Sequence, residues 1–331
     1  MAGMEGRRVV QTTGGSSYSI TLPKSWVVEH RIGRGAILHL KTTDDGGLLI
    51  YPEHKIGERQ TSYIELQAGP GVGRDIVGAY LYGYDVIRVV TSDHFSEAQM
   101  EEVKRWVRTL AGAEIVDETP SRVEIQIMLD PEAVAPEKVV RRQAVLVLGM
   151  VEDAVQALVA GDASLGRSVH HRDEEVDRHY FTLVRVLRSA AHDTDLARRL
   201  RIPSLLLIDL RMAAKFLEDA GDHAASIGRE VTRSHKPAID KGLGGEFLSL
   251  SQIVISMGLD PLEALLSNRK DMVFKSLEAR REFIRLGENM VRRIVASGSQ
   301  LQLFKAYYAL DRICEDFSDI AELALPQMPR L

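Results

Sequence analysis

The chain has 331 residues, 45% of them hydrophobic and 27% charged, with a formal net charge of −5; this is ordinary globular composition, enough for about two or three domains. The mild negative balance excludes a chain devoted along its whole length to nucleic acid, and the one cysteine, Cys314, excludes an internal disulfide framework or a cysteine zinc site. The start MAGMEGRRVV has no signal-peptide core and no run reaches the roughly 18 apolar residues of a membrane span, so a cytoplasmic protein with no membrane insertion is expected.

Residues 1–55 are short alternating segments punctuated by glycine. VVQTT, SYSITL, AILHLK and GLLIYP have the period-two pattern of strands, and TTGGSS and TTDDGG that of turns. LPKSWVVEHRIG reads as one short helix entered through a proline and stopped by a glycine. So small a unit buries too little apolar surface to be secure alone, and dimerisation by strand exchange would repair that. Seven basic residues (Arg7, Arg8, Lys24, Arg31, Arg34, Lys41, Lys55) stand against five acids (Glu5, Glu29, Asp44, Asp45, Glu53), so the unit is locally positive. Basic side chains and serine hydroxyls beside a glycine turn suit phosphate contacts. A charged surface on a dimerisation barrel is the competing account.

The segment GRRVVQTTGGSSYSITLPKSWVVEHRIGRGAILHLKTTDDGGLLIYP resembles the AbrB/SpoVT-like DNA-binding domain. The marks are a basic first strand, a glycine turn, an apolar strand ending in Leu22-Pro23-Lys24, a short helix and a glycine-marked turn before the next strand. The resemblance implies a swapped-hairpin β-barrel of two interleaved chains, hence a homodimer. It further implies DNA contacts from Arg7, Arg8 and Lys24, with Ser16 and Ser17 as backbone contacts. The turn departs from the pattern, with Gly-Ser-Ser where many relatives place an arginine.

Residues 60–130 alternate strand and helix. SYIELQ, DVIRVVT, EIVDE and RVEIQIML read as strands; GRDIVGAYLYG and SEAQMEEVKRWVRTLAG read as helices, the second with Ser96 as N-cap and Gly112 as its close. A small α/β layer with βαβ-type units is expected. The stretch from Gly69 to Arg74, GPGVGR, invites a phosphate-loop reading but lacks the Gly-Lys-Ser/Thr ending that such a loop needs. Gly78 to Tyr84 reads as helix-to-strand packing.

From Pro131 onward strand signals vanish. Helices are expected at about 136–161, 164–192, 203–232, 244–266, 268–297 and 300–324. They form two stacked three-helix bundles, over 136–238 and 244–325. One phrase occurs in the third helix of each set: LEDAGDHAASIGR at 217–229 and LDRICEDFSDIAE at 310–322. At constant offset Glu218 falls on Asp311, Asp222 on Glu315 and Ile227 on Ile320. Acids four residues apart share a helix face. That face also carries apolar residues, so the acids sit at the edge of a packed seam. Like charges there need something positive, and a metal ion is one such partner. The competing account is a solvated acidic face with ion pairs, for example Asp173 or Asp177 with Arg172 and Arg178.

The stretch from Leu217 to Ala224, together with Asp173-Glu174-Glu175-Val176-Asp177 on the preceding helix, resembles signatures of the PhoU family of phosphate-uptake regulators. The resemblance implies iron or zinc ions held by Asp173, Asp177, Glu218 and Asp222, with Asp311 and Glu315 matching in the second repeat. The middle helix of that repeat has no clear match; Glu278 and Glu282 are its best pair, and Asp271 competes. His223 lies about 100° from its acidic neighbour and is not counted a ligand, and adjacent His170 and His171 do not share a face.

These resemblances imply a multidomain, phosphate-responsive regulator that binds DNA and negatively controls phosphate uptake, acting on DNA or on a phosphate transporter ATPase or sensor kinase. No enzyme is expected: there is no Gly-x-Ser-x-Gly elbow and no base for Cys314. A dimeric adaptor without DNA binding is the alternative, and a metal-dependent phosphohydrolase using the acidic seam is a remote one.

Overall fold

A computed structural model describes residues 7–13, 15, 17–42, 46–52, 61–233, 239, 241–296 and 301–325. The chain divides into two compact units, Met1–Gln60 and Thr61–Leu331.

In the first unit, β1 (Gln11–Thr13) pairs antiparallel with β2 (Ser17–Ser19), and β3 (Leu38–Thr42) with β4 (Leu48–Pro52), as two separate ladders. Between them lies α1 (Lys24–Glu29), entered after Pro23 as expected. Its stop comes before the glycine: Arg31 takes the left-handed conformation at φ 50°, and the Ile32 amide donates back to the Val27 carbonyl. None of the residues of this unit whose exposure is described is buried. Val9 is 82% exposed, Tyr18 77% and Leu40 63%.

The second unit opens with β5 (Tyr63–Gln67), α2 (Val72–Tyr82), β6 (Val86–Val90), α3 (Glu97–Thr109), β7 (Ala113–Thr119) and β8 (Arg122–Ile127). The sheet order is β5-β6-β8-β7. Only β5-α2-β6 is a parallel crossover; β8 inserts between β6 and β7 and pairs antiparallel with both, so one βαβ unit is present rather than several. Alternation works as the pattern requires: β8 buries Val123, Ile125 and Ile127 against Ile76, Tyr80, Val103 and Val107 of the helices. Ser96 caps α3 in a capping box with Gln99.

After a short 3-10 turn at Pro131–Ala133 the chain is helical: α4 (Pro136–Ala160), α5 (Ala163–His192), α6 (Thr194–Arg199), α7 (Ser204–Arg233), α8 (Lys241–Met257), α9 (Asp260–Ser267), α10 (Lys270–Ala296) and α11 (Leu301–Glu322). Two breaks exceed the expected six helices. The Asp193 carboxylate accepts from the amides of Asp195 and Leu196 and starts α6. Gly258 at φ 54°, followed by Pro261 in the first turn of α9, divides the run expected at 244–266. Helices α4, α5 and α7 form the first bundle; α8 with α9, α10 and α11 form the second. Helix α7 packs along α11, and one continuous apolar core runs through both. By length and composition α4 and the run 241–267 are apolar enough to cross a membrane. In α4 that character serves the bundle, with Val140, Ala144, Val147, Met150 and Val151 fully buried.

The α/β layer is joined to α5. Leu81 and Phe181 pack against both cores. Arg185 of α5 is wholly buried; its Nη1 donates to the carbonyls of Tyr80 (2.7 Å) and Tyr84 (2.9 Å) at the C-terminal end of α2, and its guanidinium lies 4.9 Å from the Tyr80 ring centroid.

Candidate functional site

The acids of the first repeat meet where α5 crosses α7. The approach is close because Gly221 stands on α7 at the crossing: a Cβ there would lie 3.0 Å from the Val176 side chain and 3.5 Å from Asp173 Oδ1. With no side chain in the way, Asp173 and Asp177 of α5 stand opposite Glu218 and Asp222 of α7. The electrostatics record the crowding. Burial first, then the charges of Asp222 and Asp177, pushes Asp173 up to about 7. Burial, then Glu218 and Asp222, pushes Asp177 up to about 6. Asp173 Oδ1 is sealed from solvent and has no hydrogen-bond partner. An all-carboxylate set with an orphaned buried oxygen fits a hard or borderline divalent cation.

Two residues of this site were not singled out from the sequence. Asp219 joins Glu218 and Asp222, the ligand oxygens of the three lying within 4.8 Å of one another. Lys215 ion-pairs with Glu218 and, at 2.8 Å, with Asp219. Burial works against the charge of Lys215, but these hydrogen bonds outweigh it and its pKa rises. Glu218 is nonetheless raised, because its own burial outweighs the lysine. The acid pair at 218–219 and a lysine one turn earlier were the available signals. The ion pairs weighed from sequence do not form: Arg172 goes to Asp153 at 2.5 Å, and Arg178 donates to the Arg108 carbonyl.

In the second repeat the facing helix is different. Arg280 of α10 donates to Asp311 Oδ1 at 2.5 Å and lies 3.9 Å from Glu315; Arg312 donates to Glu315 at 2.6 Å. The α10 acids considered from sequence lie elsewhere: Glu278 is exposed, Glu282 pairs with Arg285, and Asp271 pairs with Arg269. Between the bundles, Asp316 of α11 is buried with Oδ2 unpartnered, and burial, then Asp219, pushes it up to about 8. His223 is held below its usual range by burial and then Arg312. Burial pushes the Cys314 thiol up to about 12, far from a nucleophile's range.

The GPGVGR turn has a packing explanation. A Cβ on Gly73 would collide with Trp106, and the Gly73 amide points to the Glu102 carboxylate (3.4 Å), an acid standing where a phosphate would. Tyr80 is a core residue whose hydroxyl donates to the Ala111 carbonyl.

In the first unit Arg7, Arg8, Ser17 and Lys24 are exposed, with Lys24 opening α1; Ser16 lies outside the described residues.

Comparison with known proteins places these regions. Residues 140–231 match the family model described as PhoU domain, and residues 11–58 match that described as antidote-toxin recognition MazE, bacterial antitoxin. The crystal structure of PhoU from Pseudomonas aeruginosa is similar at a TM-score of 0.50 and 20% identity, over 59% of this chain and 95% of that one. That of the phosphate transport system regulatory protein PhoU from Streptococcus pneumoniae has a TM-score of 0.48 and 17% identity, over 57% and 91%. No curated protein matches significantly. The chain thus carries a PhoU domain in its helical region and a MazE/AbrB-like domain at its N-terminus.

Proposed function

We propose that this protein is a phosphate-responsive, cytoplasmic regulator that restrains phosphate uptake, working as a homodimer joined through its N-terminal units. The observation that carries the reading is the α5–α7 seam, where the carboxylates of Asp173, Asp177, Glu218 and Asp222 converge inside the PhoU domain and raise one another's pKa. Asp173, Asp177 and Asp222 would hold an iron or zinc ion, with Glu218 joining once Lys215 releases it. When bound, the ion would supply positive charge to Asp173 and Asp177, which have no ion-pair partner among the described residues. The chain's own residues do the rest: α5 carries the seam acids near its middle and Arg185, fixed to α2, about two turns beyond Asp177, so a shift of α5 reaches the α/β layer. An effector acts through this seam only if it binds two arrangements of the helices unequally.

For the N-terminal unit, exposed Val9, Val10, Tyr18 and Leu40 support dimerisation, since apolar surface of that kind marks a partner site. Exposed Arg7, Arg8 and Lys24 support DNA phosphate contacts. The test is fluorescence polarisation on duplex DNA at several salt concentrations, alongside phosphate uptake by cells with and without the chain. A steep salt slope, shallower by roughly 0.9 for each phosphate contact removed in an Arg7→Ala, Arg8→Ala, Lys24→Ala variant, and faster uptake without the chain are expected. A second reading, a dimeric adaptor acting on a phosphate transporter ATPase or sensor kinase, is favoured by the turn, which carries Gly14-Gly15-Ser16-Ser17 and no arginine. Lack of DNA binding even at low salt selects it.

A further inference from the structure

Helix α11 carries two acids at the same four-residue spacing as α7, Asp311 and Glu315 beside Glu218 and Asp222, but the helix facing it supplies the opposite charge. On α5 the facing side chains are Asp173 and Asp177; on α10 the facing side chain is Arg280. Its Nη1 reaches Asp311 Oδ1 at 2.5 Å and the Asp311 carbonyl at 3.4 Å, and its Nη2 lies 3.9 Å from Glu315. The guanidinium stands 5.7 Å from the ring centroid of Phe283, which is fully buried and holds the arginine from its own helix. Arg312, on α11 itself, donates to the same Glu315 oxygen, Oε2, at 2.6 Å. Two carboxylates therefore meet two guanidinium groups. In the first repeat, Lys215 is in direct contact with Glu218 and Asp219, while among the described residues Asp173 and Asp177 make no ion pair and Asp173 feels the charge of Arg229 at longer range.

We infer that the second bundle takes Arg280 as its resident cation, so that Asp311 and Glu315 bind no metal and only the first bundle is metal-responsive. The first-bundle half of this rests on the reading of the α5–α7 seam above; the Arg280 half stands by itself. Arginine remains charged at every pH a protein meets and its planar fork suits carboxylates. A divalent cation approaching Asp311 is thus repelled by a charge that is covalently tethered and cannot dissociate. The second bundle keeps its helix spacing whether or not metal is present, and serves as a fixed frame against which α7 can move.

The experiment is equilibrium dialysis of chelator-stripped full-length protein against zinc, then iron(II), with metal counted per chain. Asp311→Asn with Glu315→Gln is expected to leave the wild-type count unchanged. Arg280→Asp is expected to add an ion, and Asp311→Asn in that background to remove it. Loss of metal on changing Asp311 and Glu315 in the otherwise wild-type chain overturns the inference, as does an Arg280→Asp chain that folds and gains nothing. Should wild type hold no metal at all, the seam reading fails, while gain of an ion by Arg280→Asp still upholds the role of Arg280. If Arg280→Asp does not fold by circular dichroism, Arg280→Gln replaces it; a zinc-dependent rise in its melting temperature, abolished by Asp311→Asn, supports the inference, and absence of that rise overturns it.

Discussion

Gly166 of α5 and Gly228 of α7 meet backbone against backbone: a Cβ on Gly228 would lie 2.6 Å from the Gly166 carbonyl oxygen, and one on Gly166 2.8 Å from that of Gly228. This reciprocal contact, two turns from Gly221, draws the two helices together along the seam that carries the acids. Alanine is the better helix former by about 1 kcal/mol, but overpacking against backbone that cannot rotate away costs typically ~1–3 kcal/mol. Gly228→Ala is therefore expected to lower the melting temperature. Gly78→Ala, in α2 with nothing within 4 Å of its added carbon, is the control and is expected to be neutral or to stabilise by ~0.5–1 kcal/mol. Thermal melts of the two variants check both signs.

Asp173 at about 7 and Asp177 at about 6 give the metal-free protein a definite pH dependence. Unfolded aspartate releases its proton near 3.9, so between about pH 4 and 7 the folded chain holds protons that the unfolded chain has lost. Stability of the metal-free form therefore falls as pH rises through that window, and Asp316, at about 8, carries the fall further before it levels off. Asp177→Asn removes one of the two seam groups and flattens the fall between about pH 4 and 6, leaving the part from Asp316 in place. Saturating zinc, which needs the ionised acids, opposes it. Melting temperatures from pH 4.5 to 8, with chelator and with zinc, show the two trends.

Arg185 ties α5 to the end of α2, and its removal leaves the Tyr80 and Tyr84 carbonyls without this donor. Breaking a buried charged network costs on the order of 3–5 kcal/mol. Arg185→Leu is expected to lose stability on that scale and Arg185→Lys to lose a smaller but clear part, since an ammonium cannot reproduce the fork or the stacking on Tyr80. Hydrogen exchange is expected to quicken over 72–84 before the bundle core. Urea unfolding and exchange measurements on both variants check this.

Much of the fold was legible because it rests on local chemistry. Ser96 with Gln99 marks a helix start, Pro136 and Gly161 bracket α4, and the alternation of Val123, Ile125 and Ile127 marks a half-buried strand. The paired acid phrases were legible as helical spacing. What the sequence concealed depends on partners distant in the chain. Arg185 binds carbonyls, which carry no sequence signal. Arg280 lies between the acids Glu278 and Glu282, and nothing in that run says that the arginine, rather than either glutamate, faces α11. The insertion of β8 between β6 and β7 is a tertiary choice invisible to periodicity.

The central claim is that the carboxylates of α5 and α7 converge in order to hold a metal ion. Metal analysis of the purified full-length protein, wild type beside Asp177→Asn with Asp222→Asn, tests it most directly. The account predicts iron or zinc bound by wild type and lost from the double variant while its fold, followed by circular dichroism, persists. Equal metal content in the two proteins would contradict it.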